Sequence, residues 1–126
     1  MNPKHILVVD DEPLLLNVMT QLLEYLGYRV TATARAAEAL AQFMAAPDQF
    51  DVVLLDRVMP QVNGPTLARA MRGVRGDISI LFLSGVVHAA LEQEAADLGV
   101  RGILPKPFTK DEISEAVRKA LEPKAP

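Results

Sequence analysis

Three short stretches of this chain, Ile6–Val9 (ILVV), Val52–Leu55 (VVLL) and Ile78–Leu83 (ISILFL), are almost wholly apolar and show no alternation with polar residues. A strand with one solvated face alternates; a strand covered on both faces does not. The chain is therefore constrained toward a parallel sheet packed between helices. Two further β-rich runs, Tyr28–Thr33 and Arg101–Leu104, bring the predicted strands to five.

Helical patterns fill the gaps. The first runs from Pro13 to Leu26, with Leu15, Val18, Met19, Leu22 and Leu26 as its apolar stripe and Gly27 after it as a C′ residue. The second presents Ala36, Ala39, Leu40, Phe43 and Met44. The third starts near Pro65, a favoured first helical position, and uses Leu67, Ala68 and Met71. The fourth uses Val87, Ala90, Leu91, Ala95 and Leu98, with Gly99 beyond. In the fifth, Thr109 and Glu112 form a capping-box pattern ahead of Ile113, Ala116, Val117, Ala120 and Leu121. Strand followed by helix, five times over, predicts an α/β fold with helices on both faces of a parallel sheet. No repeat or low-complexity segment interrupts it. The 126 residues suit one domain, over 1–122, with 123–126 as a frayed tail or the start of a linker.

Composition narrows the function. Half the residues are hydrophobic, enough for a substantial core. A net charge of −3 provides no basic field, so direct nucleic-acid binding through bulk charge is not expected. The absence of cysteine excludes a disulfide framework and a thiolate metal site. The opening MNPKH lacks the apolar stretch of a signal peptide, and no run approaches the ~20 residues of a membrane span. A cytoplasmic protein without membrane contact is expected.

Chemistry gathers where the apolar runs stop. ILVV ends in Asp10 and Asp11, VVLL in Asp56, ILFL in Ser84, and GILP in Lys106. All strand C-termini of a parallel sheet lie on one edge, and open α/β sheets place ligand sites in the crevice outside it. Three carboxylates, a hydroxyl and an amine should therefore converge. Two carboxylates about 4 Å apart repel by roughly 4 kcal/mol at an effective dielectric near 20, so such a cluster calls for a cation. Oxygen-only donors suit Mg²⁺, which uses one or two carboxylates and shares phosphate oxygens; with no His or Cys in the cluster, zinc is disfavoured. A lysine and a hydroxyl beside such a site suit a phosphoryl group, and an aspartate can be the nucleophile that forms an acyl phosphate. Each residue alone has an ordinary explanation, Asp as turn or N-cap, Ser84–Gly85 as a turn, Lys106 as a solvated loop residue. The joint pattern outweighs them.

Four segments, ILVVDDEP near the start, DVVLLDRVMPQVNG at 51–64, LFLSG at 81–85 and GILPKPF at 102–108, resemble in order and spacing the receiver domain of bacterial two-component response regulators. The resemblance covers essentially the whole chain. It implies a flavodoxin-like, doubly wound five-stranded parallel sheet of order 2-1-3-4-5 with five helices. It implies Asp56 as the phosphoacceptor, Mg²⁺ held by Asp11 and Asp56, by Asp10 largely through water, and by the backbone carbonyl of Val58, and Ser84 and Lys106 as the groups that meet the phosphoryl oxygens. A cis Lys106–Pro107 peptide is also implied. The partners would be a sensor histidine kinase or phosphotransfer protein upstream and a downstream protein or fused output domain. Switching would be read on the face of the fourth helix, fifth strand and fifth helix. Such a domain is a signalling module that promotes only its own phosphorylation and dephosphorylation.

Two departures from the family pattern stand out. The position three before the lysine, often Tyr or Phe in the family, is Ile103, which has neither ring nor polar tip. The residues two after Asp56 and two after Ser84 are Val58 and Val86, which cannot orient an attacking water, so slow loss of the phosphoryl group is expected. Two competing functions share the cluster. A small Mg²⁺-dependent aspartyl phosphatase would need an acid where Val58 stands, and a receiver-like scaffold that is never phosphorylated should have lost an acid or the lysine, which this chain has not. Of the remaining residues, His5 is expected as a solvated end residue, His88 at the start of the fourth helix without a part in the pocket, Met19, Met44, Met59 and Met71 as packing, and Arg72 and Arg75 in a mobile connection.

Overall fold

The computed structural model describes residues 3–60 and 62–123. Its elements are β1 (His5–Val9), α1 (Pro13–Tyr25), β2 (Arg29–Thr33), α2 (Ala36–Ala45), a 3₁₀ turn (Pro47–Gln49), β3 (Val52–Asp56), α3 (Gly64–Val74), β4 (Ser79–Ser84), α4 (Ala89–Leu98), β5 (Gly102–Pro105) and α5 (Lys110–Ala120). The five strands form one parallel sheet in the order β2-β1-β3-β4-β5, the doubly wound flavodoxin-like arrangement the resemblance implies. The tail residues 124–126 lie outside the described residues. Among the described residues no helix is long and apolar enough to cross a membrane.

The continuous apolar runs have a direct reason: the sheet carries a core on each face. Leu7, Val9, Val53, Leu55, Ile80 and Phe82 point toward Phe43, Leu67, Met71 and Ala95 of α2, α3 and α4. Their sequence neighbours Ile6, Val8, Val52, Leu54, Leu81 and Leu83 point the other way, toward Met19, Leu23, Ile113 and Val117 of α1 and α5. With a side-chain period of two, a strand buried on both faces must be apolar at every position. Each such Leu, Ile, Val or Phe contributes about 1.5–3 kcal/mol through burial.

The helix ends follow their signals. Thr109 and Glu112 make the full capping box on α5, Asn63 caps α3 by accepting from Thr66 N–H, and Gly99 ends α4 with a φ of 74°, left-handed and suited to glycine. Five expectations are corrected. Val18 faces solvent, and Leu23 takes its place in the α1 core, because the helix turns its Met19–Leu23 face to the sheet. Met44 is exposed on the far side of α2, and Val87 lies outside α4 in an exposed connection. His5 is not a solvated end residue. It pairs with Arg29 as the first residue of β1, is 3% exposed, shares a hydrogen bond of 2.7 Å with Thr31 Oγ1, and packs at 4.7 Å against the Phe50 ring. Arg72 and Arg75 do not sit in a loose connection. Arg75 Nη1 donates to Pro47 O (2.9 Å) and Phe50 O (2.6 Å), its Nε to Asp77, and Arg72 Nη1 donates to Gly99 O (3.3 Å). These arginines hold the N-terminal edge of the sheet to the helix ends around it.

Candidate functional site

Register makes the strand ends nearly flush. Asp56, the last residue of β3, lies opposite Leu83, and Ser84, the last residue of β4, lies opposite Pro105. Asp10 and Asp11 follow the end of β1, and Lys106 follows β5, its N–H donating to Ser84 O at 2.7 Å. The sequence-predicted side chains are therefore brought to one rim. Oxygens from Asp10, Asp11 and Asp56 lie within 4.8 Å of one another.

Asp10 is fully buried. Its Oδ1 accepts from Glu12 N–H at 2.9 Å. Its Oδ2 lies 3.0 Å from Lys106 Nζ, an ionic contact that is not aligned as a hydrogen bond, so this oxygen is left without a hydrogen-bond donor. Lys106 Nζ also lies 3.4 Å from Asp56 Oδ2 and 3.6 Å from Glu12 Oε1. Glu12, with an exposed side chain, is the one member of this charge cluster the sequence reading did not assign; its position directly after Asp10 and Asp11 was the available signal.

Burial, then the neighbouring Asp10 carboxylate, push the Asp56 carboxyl up to about 6, against the opposing pull of Lys106 and the Val58 N–H that donates to Asp56 Oδ1 at 3.3 Å. Burial alone would lower Lys106, but the close ionic contact with Asp10, with the charges of Asp56 and Glu12, outweighs it and holds the amine above its ordinary value. Three clustered carboxylates thus face a single ammonium. The donor set is all oxygen, one member is a buried carboxylate oxygen without a donor, and Asp11 remains half-buried at the mouth. That is an acidic pocket able to bind a hard divalent cation.

Ser84 is at the rim, but its hydroxyl donates to Val86 O at 2.7 Å rather than toward Asp56. His88 does not serve the pocket; its Nδ1 caps α4 by accepting from Leu91 N–H. Val58 and Val86 stand exposed at the mouth. Ile103 is half-buried and packs with the core under α2, α3 and α4. The Lys106–Pro107 peptide is cis.

The response regulator receiver domain family model matches residues 6–118. The chain belongs to that family. It is a receiver domain of two-component phosphorelay systems, a class of signalling domain that pairs with histidine kinases and downstream targets. Over 117 residues it is 33% identical to the sensor kinase CckA of Brucella abortus, which covers 93% of this chain but 12% of that protein. Over 126 residues it is 33% identical to the DNA-binding transcriptional regulator NtrC of Azospirillum brasilense, 26% of whose length it spans. The chain is thus much shorter than these relatives. The structure of the chemotaxis protein CheY4 of Vibrio cholerae superposes with a TM-score of 0.89 at 29% identity, covering 94% of this chain and 99% of that one.

Proposed function

We propose that Asp56 is the phosphoacceptor of this receiver domain and takes its phosphoryl group from a histidine of a sensor kinase or phosphotransfer protein. An Asp56 carboxylate oxygen forms the new bond to phosphorus as the bond to the histidine nitrogen breaks. The observation that carries this is the single ammonium of Lys106 set between Asp10 and Asp56 within a cluster of three carboxylates. Above a pH of about 6 the Asp56 carboxyl is largely ionised and nucleophilic.

Asp10, Asp11, Asp56 and the Val58 carbonyl are the proposed ligands of Mg²⁺, which when bound supplies positive charge to the phosphoryl oxygens. Lys106 pairs with the phosphoryl charge from the other side. Ser84 meets a phosphoryl oxygen by giving up its bond to Val86 O. The added charge, about −1.5 to −2, shifts the α4-β5-α5 face between two arrangements that a downstream protein or fused output domain distinguishes by affinity. The proposed domain runs over 1–122, and the proposed location is the cytoplasm.

With acetyl phosphate and Mg²⁺, the wild type is expected to take up phosphoryl label that EDTA prevents, and Asp56→Asn to take up none; stoichiometric label in that variant overturns the assignment. Val58 and Val86 at the mouth are apolar and cannot themselves orient a water, so the phosphorylated protein should persist for minutes or longer. A half-life of seconds, measured in the absence of kinase, contradicts that.

A further inference from the structure

Ile103 has no polar tip, while the residue next to Asp56 reaches α4 through its own side chain. We propose that the Arg57–Glu94 ion pair holds α4 in its unphosphorylated position, so that charge arriving on Asp56 must work against it. The proposal rests on Asp56 being the phosphoacceptor.

Arg57 is the residue after Asp56, and its backbone has no room to yield. Its N–H donates to Leu83 O and its carbonyl accepts from Gly64 N–H, both at 2.9 Å. A Cβ at Gly64 would lie 2.6 Å from Asp56 O and 2.8 Å from Arg57 Cα, so only glycine lets the loop close this tightly. From that rigid node the Arg57 side chain reaches α4, where Nε donates to Glu94 Oε1 at 3.2 Å. The N-terminal end of α4 is tethered differently. Gly85, Val86, Val87 and His88 are all exposed, and the turn is held by Ser84 Oγ donating to Val86 O, with Val86 N–H returning to Ser84 Oγ at 3.3 Å. When Ser84 turns its hydroxyl to a phosphoryl oxygen, that turn loses its closing bond, and it leads directly into His88, the cap of α4. The start of α4 is then released while Glu94, in its middle, is still gripped by a residue that cannot follow. Arg57 and Glu94 are positioning residues, acting through the helix rather than on the phosphoryl group.

The test is a titration with beryllofluoride, a stand-in for the phosphoryl group, in excess Mg²⁺, followed by amide chemical shifts of α4 and of the segment after Asp56. Glu94→Gln and Arg57→Gln should each bind about two- to fivefold more tightly, the range expected for breaking an ion pair of this partial exposure. The charge swap Arg57→Glu with Glu94→Arg should return affinity toward wild type. Glu94→Gln binding with unchanged affinity, or a swap that stays as tight as the single variants, overturns the proposal. Lower thermal stability without tighter binding marks a purely structural pair and also overturns it. A wild type that binds no beryllofluoride is a different failure, that of the Asp56 assignment itself.

Discussion

At the C-terminal edge of the sheet, Asp10, Asp56 and Glu12 share the Lys106 ammonium, Asp11 adds a further carboxylate, and a buried Asp10 oxygen lacks a hydrogen-bond donor. At the N-terminal edge the polar groups are spent on one another. Asp51 accepts from His5 N–H, His5 meets Thr31, Arg75 serves two carbonyls and Asp77, and Ser79 Oγ donates to Ala120 O. The same strands run through both edges, so the difference is not in the fold but in the side chains at its ends. One edge is satisfied and holds the elements together. The other is left with uncompensated negative charge, which disfavours the metal-free protein and is relieved when a cation binds.

The largest effect should come from the satisfied edge. Arg75→Ala removes the donor to two backbone carbonyls and should cost about 3 kcal/mol in urea unfolding, while the folded fraction still accepts phosphoryl groups from acetyl phosphate. Impaired phosphorylation with unchanged stability would mean the two edges are not separable.

Next in size is a gain. The Asp56 carboxyl is raised from 3.8 to about 6 in the folded protein. Its contribution to stability is therefore fully present below 3.8 and lost as pH rises through about 6. Asn cannot ionise, so in EDTA at pH 8 Asp56→Asn should be more stable than wild type by about 2–3 kcal/mol, at about 1.4 kcal/mol per pH unit, and the gain should fade as pH falls to 3.8 and below. A variant less stable than wild type at pH 8 would show that the carboxylate is not strained there.

The smallest effect has the opposite sign. Burial, then Arg29, lowers the pKa of His5 from its ordinary 6.5. A depressed histidine contributes stability that is present above 6.5 and lost as pH falls below it. Measured in the Asp56→Asn background, so that the opposing titration is removed, stability should decline on acidification below 6.5, and His5→Gln should flatten that decline at a cost of about 1 kcal/mol above it. A slope that survives in His5→Gln would place the titrating group elsewhere.

Much of this was legible in residue order. Unbroken apolar runs require a strand covered on both faces, which led to a parallel sheet and two helix layers, and the polar residue closing each run marked the rim. The capping box of α5 and the glycine after α4 were equally plain, because caps depend on a few neighbouring backbone groups. Val18, Leu23 and Met44 were not, since a helical period shows that a stripe exists but allows it to rotate by a residue. His5 and Arg75 were misplaced because their partners, Thr31, Gln49, Pro47 and Phe50, are distant in sequence and carry no pattern pointing back to them.

By itself, then, the sequence determined the strand and helix order, the two-sided burial and the chemical kinds of group at the strand ends, since these follow from local period and from parallel strands ending on one edge. Tertiary structure alone decided that Lys106 sits between Asp10 and Asp56 and that Arg57 grips Glu94. Those are distances of a few ångströms between residues tens of positions apart, and only register and packing set them.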